Sequence, residues 1–266
     1  MHYKLVAMDL DGTLLNEDHT IDPGALDAIR RAAERGVTFT IATGRMHGSA
    51  ERFAAPLGIE VPLISYNGSV VRSALSGREH RHLRVPRAAA ATALSLIKAD
   101  KALRYAFMDD RVLTDTPHEW TDQYAKILGI EMALVDDIAD ALEDDPTMLV
   151  FMCEEADTSR LTGYLSCELD SAVRLTNSNP WFVDVLNADA SKAMALRFLA
   201  ESLGVRMRET VAIGDSWNDL EMIEAAGLGV AVANGTDRLK EWADYITTEE
   251  RGRGVAEVLR TFILDD

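Results

Sequence analysis

An unbroken apolar run, Leu5-Val6-Ala7-Met8, opens the patterned part of the chain. A run of that kind reads as a strand buried on both faces, as in a parallel sheet. Asp22 and Pro23 then precede Ala25, Leu26, Ile29, Ala32 and Ala33 at helical spacing, and Gly36 supplies the stop. Residues 37–42 form a second strand-like run and residues 46–57 a second helix. Residues 62–66 form a third strand that closes at Asn67-Gly68, a turn signal. Alternation of strand and helix in this order predicts a Rossmann-like, doubly wound α/β fold with a parallel sheet.

The rhythm changes after Gly68. Residues 69–72 and 80–85 read as short hairpin strands, and Pro86 opens an alanine-rich helix that reaches Lys98. A hairpin over 105–109 and 112–115 turns at Asp110-Arg111. A helix over 119–128, a strand over 131–135, a short helix over 138–142, a strand over 148–153 and a helix over 158–169 follow. Strands over 173–176 and 181–186 complete the stretch. Hairpins mixed with helices predict an α+β module at 84–186, inserted into a core made of 1–83 and 187–266. The α/β rhythm then returns. Ser191 is placed to cap a helix over 192–203, followed by a strand over 210–213 and a helix to Ala226. A strand over 228–232, a helix over 237–242, a strand over 245–247 and a helix over 255–262 end the pattern.

The 266 residues carry a formal net charge of -17, with no Lys/Arg-rich run. Nucleic-acid binding needs a basic footprint, so that class is excluded, as are anionic membrane surfaces. A polyanionic substrate would require a metal and a few local cations to overcome the overall field. Cys153 and Cys167 lie in apolar contexts and form no CxxC pattern, which predicts packing thiols. The N-terminus lacks a charged region before an apolar core, and no stretch approaches ~18 consecutive apolar residues. The expectation is a soluble, cytoplasmic protein.

Polar groups gather at the predicted strand ends. Asp9-Leu10-Asp11-Gly12-Thr13 follows the first strand, Thr43-Gly44-Arg45 the second, and Gly214-Asp215-Ser216-Trp217-Asn218-Asp219 the strand over 210–213. Lys192 begins the helix over 192–203. Each motif alone reads as a turn, a helix cap or a solvated surface group. Together they differ, because the strand ends of a parallel sheet share one edge. Carboxylate oxygens from several segments suit Mg²⁺, which keeps waters and takes a substrate phosphate to complete its octahedron. A hydroxyl and a lysine at the same edge suit the remaining phosphoryl oxygens. The set describes phosphoryl transfer.

This ordered set resembles the haloacid dehalogenase superfamily of phosphotransferases across the whole chain. The first motif is matched by Asp9 to Thr13, the second by Thr43 to Arg45, the third by Lys192 and the fourth by Gly214 to Asp219. The inserted module is similar to the C2-type cap of the Cof-type (IIB) phosphatases. Tyr66-Asn67-Gly68 and Leu228 through Asn234 also resemble that branch. Ala193 stands where the branch often has glycine, and Asn234-Gly235 replaces a more usual glycine-asparagine order.

The resemblance implies that Asp9 is the nucleophile that forms an aspartyl phosphate, and that Asp11 is the acid and then the base, its pKa raised by neighbouring acids. It implies Mg²⁺ held by Asp9, the Asp11 main-chain carbonyl and Asp215, with Asp219 on metal-bound water or behind the metal. Thr43 and Lys192 would bind the phosphoryl group, helped by Leu10, Gly12, Gly44 and Asn218, with Arg45 and Asn67 in reach of phosphate or substrate. The implied substrate is a small phosphorylated metabolite, with sugar phosphates favoured. A phosphomutase of the same superfamily is the alternative, and a phospho-receiver signalling module is the alternative from another class. Trp120, Trp181 and Phe182 are expected to pack, and Arg84, Arg104 and Arg174 to be solvated.

Overall fold

The computed structural model describes residues 3–109, 111–130 and 132–265. In chain order the first elements are β1 (Leu5–Met8), α1 (Pro23–Glu34), β2 (Thr38–Ile41), α2 (His47–Glu51), β3 (Leu63–Ser65), β4 (Val70–Arg72) and β5 (Glu79–His82). Next come α3 (Arg87–Ile97), β6 (Leu103–Met108), β7 (Arg111–Thr114), α4 (Glu119–Leu128), β8 (Met132–Leu134), α5 (Ile138–Ala141), β9 (Met148–Met152), α6 (Glu155–Glu168), β10 (Val173–Thr176) and β11 (Phe182–Asn187). The last are α7 (Lys192–Ser202), β12 (Thr210–Gly214), α8 (Leu220–Ala225), β13 (Leu228–Ala231), α9 (Asp237–Lys240), β14 (Tyr245–Ile246) and α10 (Arg251–Leu259). The chain divides into two compact units, Met1–Arg81 with Ser191–Asp266, and His82–Ala190.

In the first unit five strands lie in the order β14-β13-β12-β1-β2, all parallel. A parallel bridge between Ala42 and Ile64 joins β3 beyond β2, and β4 and β5 continue outward from β3. From β1 the chain runs outward on one side through β2 and β3, then returns to place β12 on the other side of β1. The carboxyl ends of β1 and β12 therefore flank a topological switch point, where open α/β sheets form ligand crevices.

Alternate residues of the central strands feed two cores. Val6, Met8, Val211, Ile213 and Val230 pack with α1 and α10, through Ala28, Ile29, Val255 and Leu259. Leu5, Ala7, Ala212 and Ala231 pack with α7 and α8, through Leu196, Leu199, Met222 and Ile223. Burial on both faces explains why β1 is apolar throughout. Helix α1 starts where Asp22 accepts from the Gly24 and Ala25 amides at 2.7 and 3.2 Å, with Pro23 in its first turn.

The second unit is a six-stranded sheet ordered β10-β11-β9-β6-β7-β8. Helices α3, α5 and α6 cover one face through Leu94, Ile97, Ile138, Leu161 and Leu165, set against Ala106, Leu149, Phe151 and Val183. Tyr105, on the opposite face, meets Thr121 and Tyr124 of α4, and Tyr124 in turn meets Phe182.

Several expected boundaries move. The helix expected over 46–57 is a regular helix only at His47–Glu51 and continues as turns. The third strand stops at Ser65, because Tyr66 and Asn67 both take positive φ in a 3₁₀ turn, Tyr66–Gly68. Arg111 belongs to β7, paired with Met108, so it is not a turn residue; Asp110 lies outside the described residues. Glu131, expected in β8, lies outside them too. Helices α6 and α10 begin three and four residues earlier than expected. Phe182 packs as expected, whereas Trp120 and Trp181 are exposed. Cys167 is exposed on α6, so it is not a packing thiol. Arg104 is largely buried and paired with Asp115 at 2.7 Å, and Arg84 pairs with Asp109.

The turn after β3 is pressed against the start of α7. Gly68 has φ +97, and a Cβ there would run into the Ser191 carbonyl. Gly68→Ala should therefore cost about 1–3 kcal/mol of stability, read from denaturant unfolding. A wild-type midpoint in that variant would show that the turn is free to move.

Candidate active site

The centre of the first unit is a buried lysine. Lys192 is 1% exposed, and its Nζ donates at 2.6 Å to Asp9 Oδ1 and at 2.6 Å to Asp219 Oδ1. Helix α7 brings it there, capped by Ser191, whose hydroxyl accepts from the Met194 amide. Burial would strip charge from Lys192, but Asp219 and Asp9 outweigh burial and push its pKa up, so the ammonium stays charged. Burial also pushes the Asp9 carboxyl up; Lys192 opposes this, and Asp219, Asp215 and Asp11 add to it.

Asp9 leaves β1 beside Ile213, whose carbonyl accepts its amide. Asp215 leaves β12, and its Oδ1 accepts from Thr13 Oγ1 at 2.9 Å. Gly12, with φ +79, lets the β1 loop close on Asp215, since a Cβ there would collide with Asp215 Oδ2. Asp219 turns back on its own loop, and its Oδ2 accepts from the Asp215 and Ser216 amides at 3.1 Å each. Carboxylate oxygens of Asp9, Asp215 and Asp219 lie within 4.8 Å of one another.

Asp11 differs. Its side chain is half exposed, and Arg45 holds both of its oxygens through Nε, at 2.6 Å, and Nη2. His19 Nδ1 lies 3.2 Å from the same Nη2. Arg45 is 8% exposed, and its Nη1 is buried with no hydrogen-bond partner among the described residues. The group in direct contact with the Asp11 carboxylate is the Arg45 guanidinium.

The remaining predicted residues frame the same edge. Thr43 is buried, and its Oγ1 accepts from the Arg45 amide at 3.2 Å. The Thr43 and Arg45 carbonyls accept from the Asn67 and Tyr66 amides, which locks the β2 and β3 turns together. Asn218 Nδ2 donates to Asn67 Oδ1 at 2.9 Å. Gly44 is half-buried in the turn between Thr43 and Arg45. Leu10 faces the core, and its carbonyl accepts from the Thr13, Leu14 and Leu15 amides. The sequence reading assigned no role to Asn234, Arg251 or His19; the signal for Asn234 was the resemblance of the stretch from Leu228 through Asn234 to the Cof-type branch.

The donor set suits a hard divalent cation. It is all carboxylate oxygen, with three acids around one ammonium and their oxygens within 4.8 Å. A profile of haloacid dehalogenase-like hydrolases matches residues 6–259. The chain belongs to this family. Among relatives of this hydrolase, a 5-amino-6-(5-phospho-D-ribitylamino)uracil phosphatase of Bacillus subtilis, YcsE, is 32% identical over 98% of this chain and 96% of its own. A phosphoglycolate phosphatase of Methanothermobacter thermautotrophicus is 30% identical over 98% of this chain and 99% of its own. The subclass IIB sugar phosphatase BT4131, at 20% identity, shares the fold with a TM-score of 0.86 over 97% of this chain and 98% of its own. No helix among the described residues of this hydrolase is long and apolar enough to cross a membrane.

Burial, and then Asp219, raise the Asp215 carboxyl to about 7. The folded, metal-free hydrolase then holds this proton more tightly than the unfolded chain does. Its stability should fall as pH rises from about 4 toward 7. Thermal melts of chelator-treated protein should show that fall, and Asp215→Asn should flatten it. An Asp215→Asn profile that overlays the wild type would contradict this account of the cluster.

Proposed function

We propose that this haloacid dehalogenase-type phosphatase hydrolyses a small phosphorylated metabolite, with sugar phosphates favoured, through a phosphoryl group carried on Asp9 and with Mg²⁺ as cofactor. The observation that carries the reading is the buried Asp9–Lys192–Asp219 arrangement beside Asp215, at the switch point of the sheet. Asp9, 5% exposed, is the nucleophile. A carboxylate is a weak base, yet an adequate nucleophile once the repulsion from the phosphate is reduced. Lys192 favours the ionised form of Asp9 and orients it, and it offsets charge on the phosphoryl oxygens, to which the Thr43 hydroxyl donates. Asn218, held by Asn67, and the backbone at Leu10, Gly12 and Gly44 complete the phosphoryl cradle.

Asp9 and Asp215, with the Asp11 main-chain carbonyl, would hold Mg²⁺, which withdraws charge from the phosphoryl oxygens when bound. Asp219 is 0% exposed, and both of its oxygens already accept from Lys192 or backbone amides. Its part is to fix Lys192 and the Asp215 loop from behind.

Asp11 protonates the leaving oxygen and later takes a proton from the attacking water. In the resting geometry Arg45 occupies both of its oxygens, so the acid step requires that pair to open. An arriving phosphoryl group offers the guanidinium fork an equivalent bidentate partner, and the buried Nη1 adds a donor with nothing yet to bind. Residues 84–186 act as the C2-type cap that selects the substrate. The relatives named for a ribitylaminouracil phosphate and for phosphoglycolate support a phosphomonoester substrate and do not fix which one. The acidic chain, read as cytoplasmic, suits small metabolites and disfavours nucleic acid and membrane partners.

Two outcomes follow for phosphate release from a panel of phosphorylated metabolites. Asp9→Asn should lose more than ~10³-fold in kcat, because the nucleophile is chemically required. Near-normal turnover in that variant would end the assignment. EDTA should abolish activity and Mg²⁺ restore it; release that persists in the chelator would contradict the metal site.

A further inference from the structure

The loop that carries Asp9 and Asp11 is held from outside by a residue that the reaction itself does not use. Asn234 Nδ2 donates to the Gly12 carbonyl at 2.7 Å, and Asn234 Oδ1 accepts from the Arg251 amide at 2.9 Å. The partners, a carbonyl on one side and an N–H on the other, leave one orientation for the amide group. The same short segment also braces Asp215. The Thr236 amide donates to the Asp215 carbonyl at 2.9 Å, and Gly235 packs on the Asp215 backbone. Asn234 thus grips the β1 loop at the residue whose missing Cβ makes room for Asp215, while its neighbours grip Asp215. Its own anchor is Arg251, a non-glycine residue at φ +51 whose side chain pairs with Glu17 at 3.0 Å. Left-handed backbone at such a residue is strained and persists only where the surroundings enforce it.

We propose that Asn234 is a positioning residue that sets the separation between the Asp9–Asp11 loop and Asp215, and with it the fit of the carboxylate cluster to a divalent cation. The inference rests on the reading of Asp9 and Asp215 given above. An aspartate at 234 could still accept from Arg251, but it would turn an acceptor toward the Gly12 carbonyl. An alanine would release both ends. The Arg251 side chain is dispensable on this account, because only its amide reaches Asn234. Glycine at 251 keeps that amide and relieves the positive φ.

The test compares Asn234→Ala, Asn234→Asp and Arg251→Gly with wild type on a phosphorylated substrate found by the panel. Groups that orient metal ligands from behind contribute about 10–100-fold to affinity or turnover when removed. Both Asn234 variants should show a loss of that size in kcat and a Mg²⁺ requirement raised by a similar factor, with KM for substrate changed far less. Arg251→Gly should keep wild-type values for all three. Without substrate, Mg²⁺ should raise the melting temperature of wild type and Arg251→Gly, and raise that of the Asn234 variants less. A purely structural role would lower the starting melting temperature and leave the Mg²⁺ requirement of the folded fraction unchanged, which would overturn the proposal. Asp9→Asn separates the two levels. If it is inactive while the Asn234 variants behave as wild type, the positioning role alone fails; if it is active, the site reading fails with it. If Asn234→Ala does not fold, Asn234→Asp carries the same comparison.

Discussion

One ammonium group organises the first unit. Lys192 has lost almost all contact with water and sits in the first turn of α7, where the helix dipole disfavours a cation. Lysine is almost never buried without a partner, and here two carboxylates make the position tenable. Without both of them the ammonium would be a buried charge uncompensated, a state that costs about 3–5 kcal/mol in proteins. The end of β1, the start of α7 and the loop after β12 are therefore tied through a single atom. Three acids stand around this one ammonium, an excess that suits a divalent cation.

That arrangement needs a scaffold that delivers distant segments to one edge. The parallel sheet does so because β1 and β12 are neighbours with matched register, Leu5 to Thr210 through Met8 to Ile213, although some two hundred residues separate them. Packing on both faces fixes the height at which Asp9 and Asp215 emerge. Two further locks act at the edge. The Tyr66–Gly68 turn is bonded to the Thr43 and Arg45 carbonyls and lies against the Ser191 carbonyl at the head of α7. The 232–236 segment is bonded to Gly12 and to Asp215. An acidic protein can thus keep a phosphate-directed site, since its cations are placed by structure and do not depend on net charge.

What was legible in the sequence follows the range of the forces involved. Apolar runs and caps are local, so β1, α1, β12 and α7 could be read within a residue or two, and the strand-end motifs marked the shared edge. Lys192 was legible only as a member of a set; its burial depends on Asp9 and Asp219, 183 and 27 residues away. The Arg45 fork on Asp11 spans 34 residues and left no local trace. Asn234 reaches Gly12 across 222 residues and appeared in the sequence only as part of the stretch that resembles the Cof-type branch. The helix over 46–57 failed for a different reason. Its apolar positions, Phe53, Ala54 and Leu57, are buried in the core as expected, but turns present them to it as well as a helix does. In the second unit Arg104 looked like a surface residue because nothing nearby in sequence reveals Asp115 as its buried partner.

The two acids of the opening motif are one residue apart and yet have different electrostatic partners. Asp9 faces a compact ammonium that is sealed from solvent and also bound by Asp219, so its partner cannot leave. Asp11 faces a guanidinium fork from the half-exposed side of the loop, and Arg45 keeps a further donor with no partner among the described residues. A planar fork binds carboxylate and phosphoryl oxygens with similar geometry, so it can exchange one for the other at small cost. On the proposed reaction this asymmetry matches the two tasks. The nucleophile must be held in place for its attack, which a permanently bound cation does. The proton carrier must change state twice, which it can do only if its cation is exchangeable. Strand alternation alone would put residues two apart on the same side; the turn after β1, in which Gly12 takes φ +79, brings Asp11 to Arg45 while Asp9 stays on Lys192.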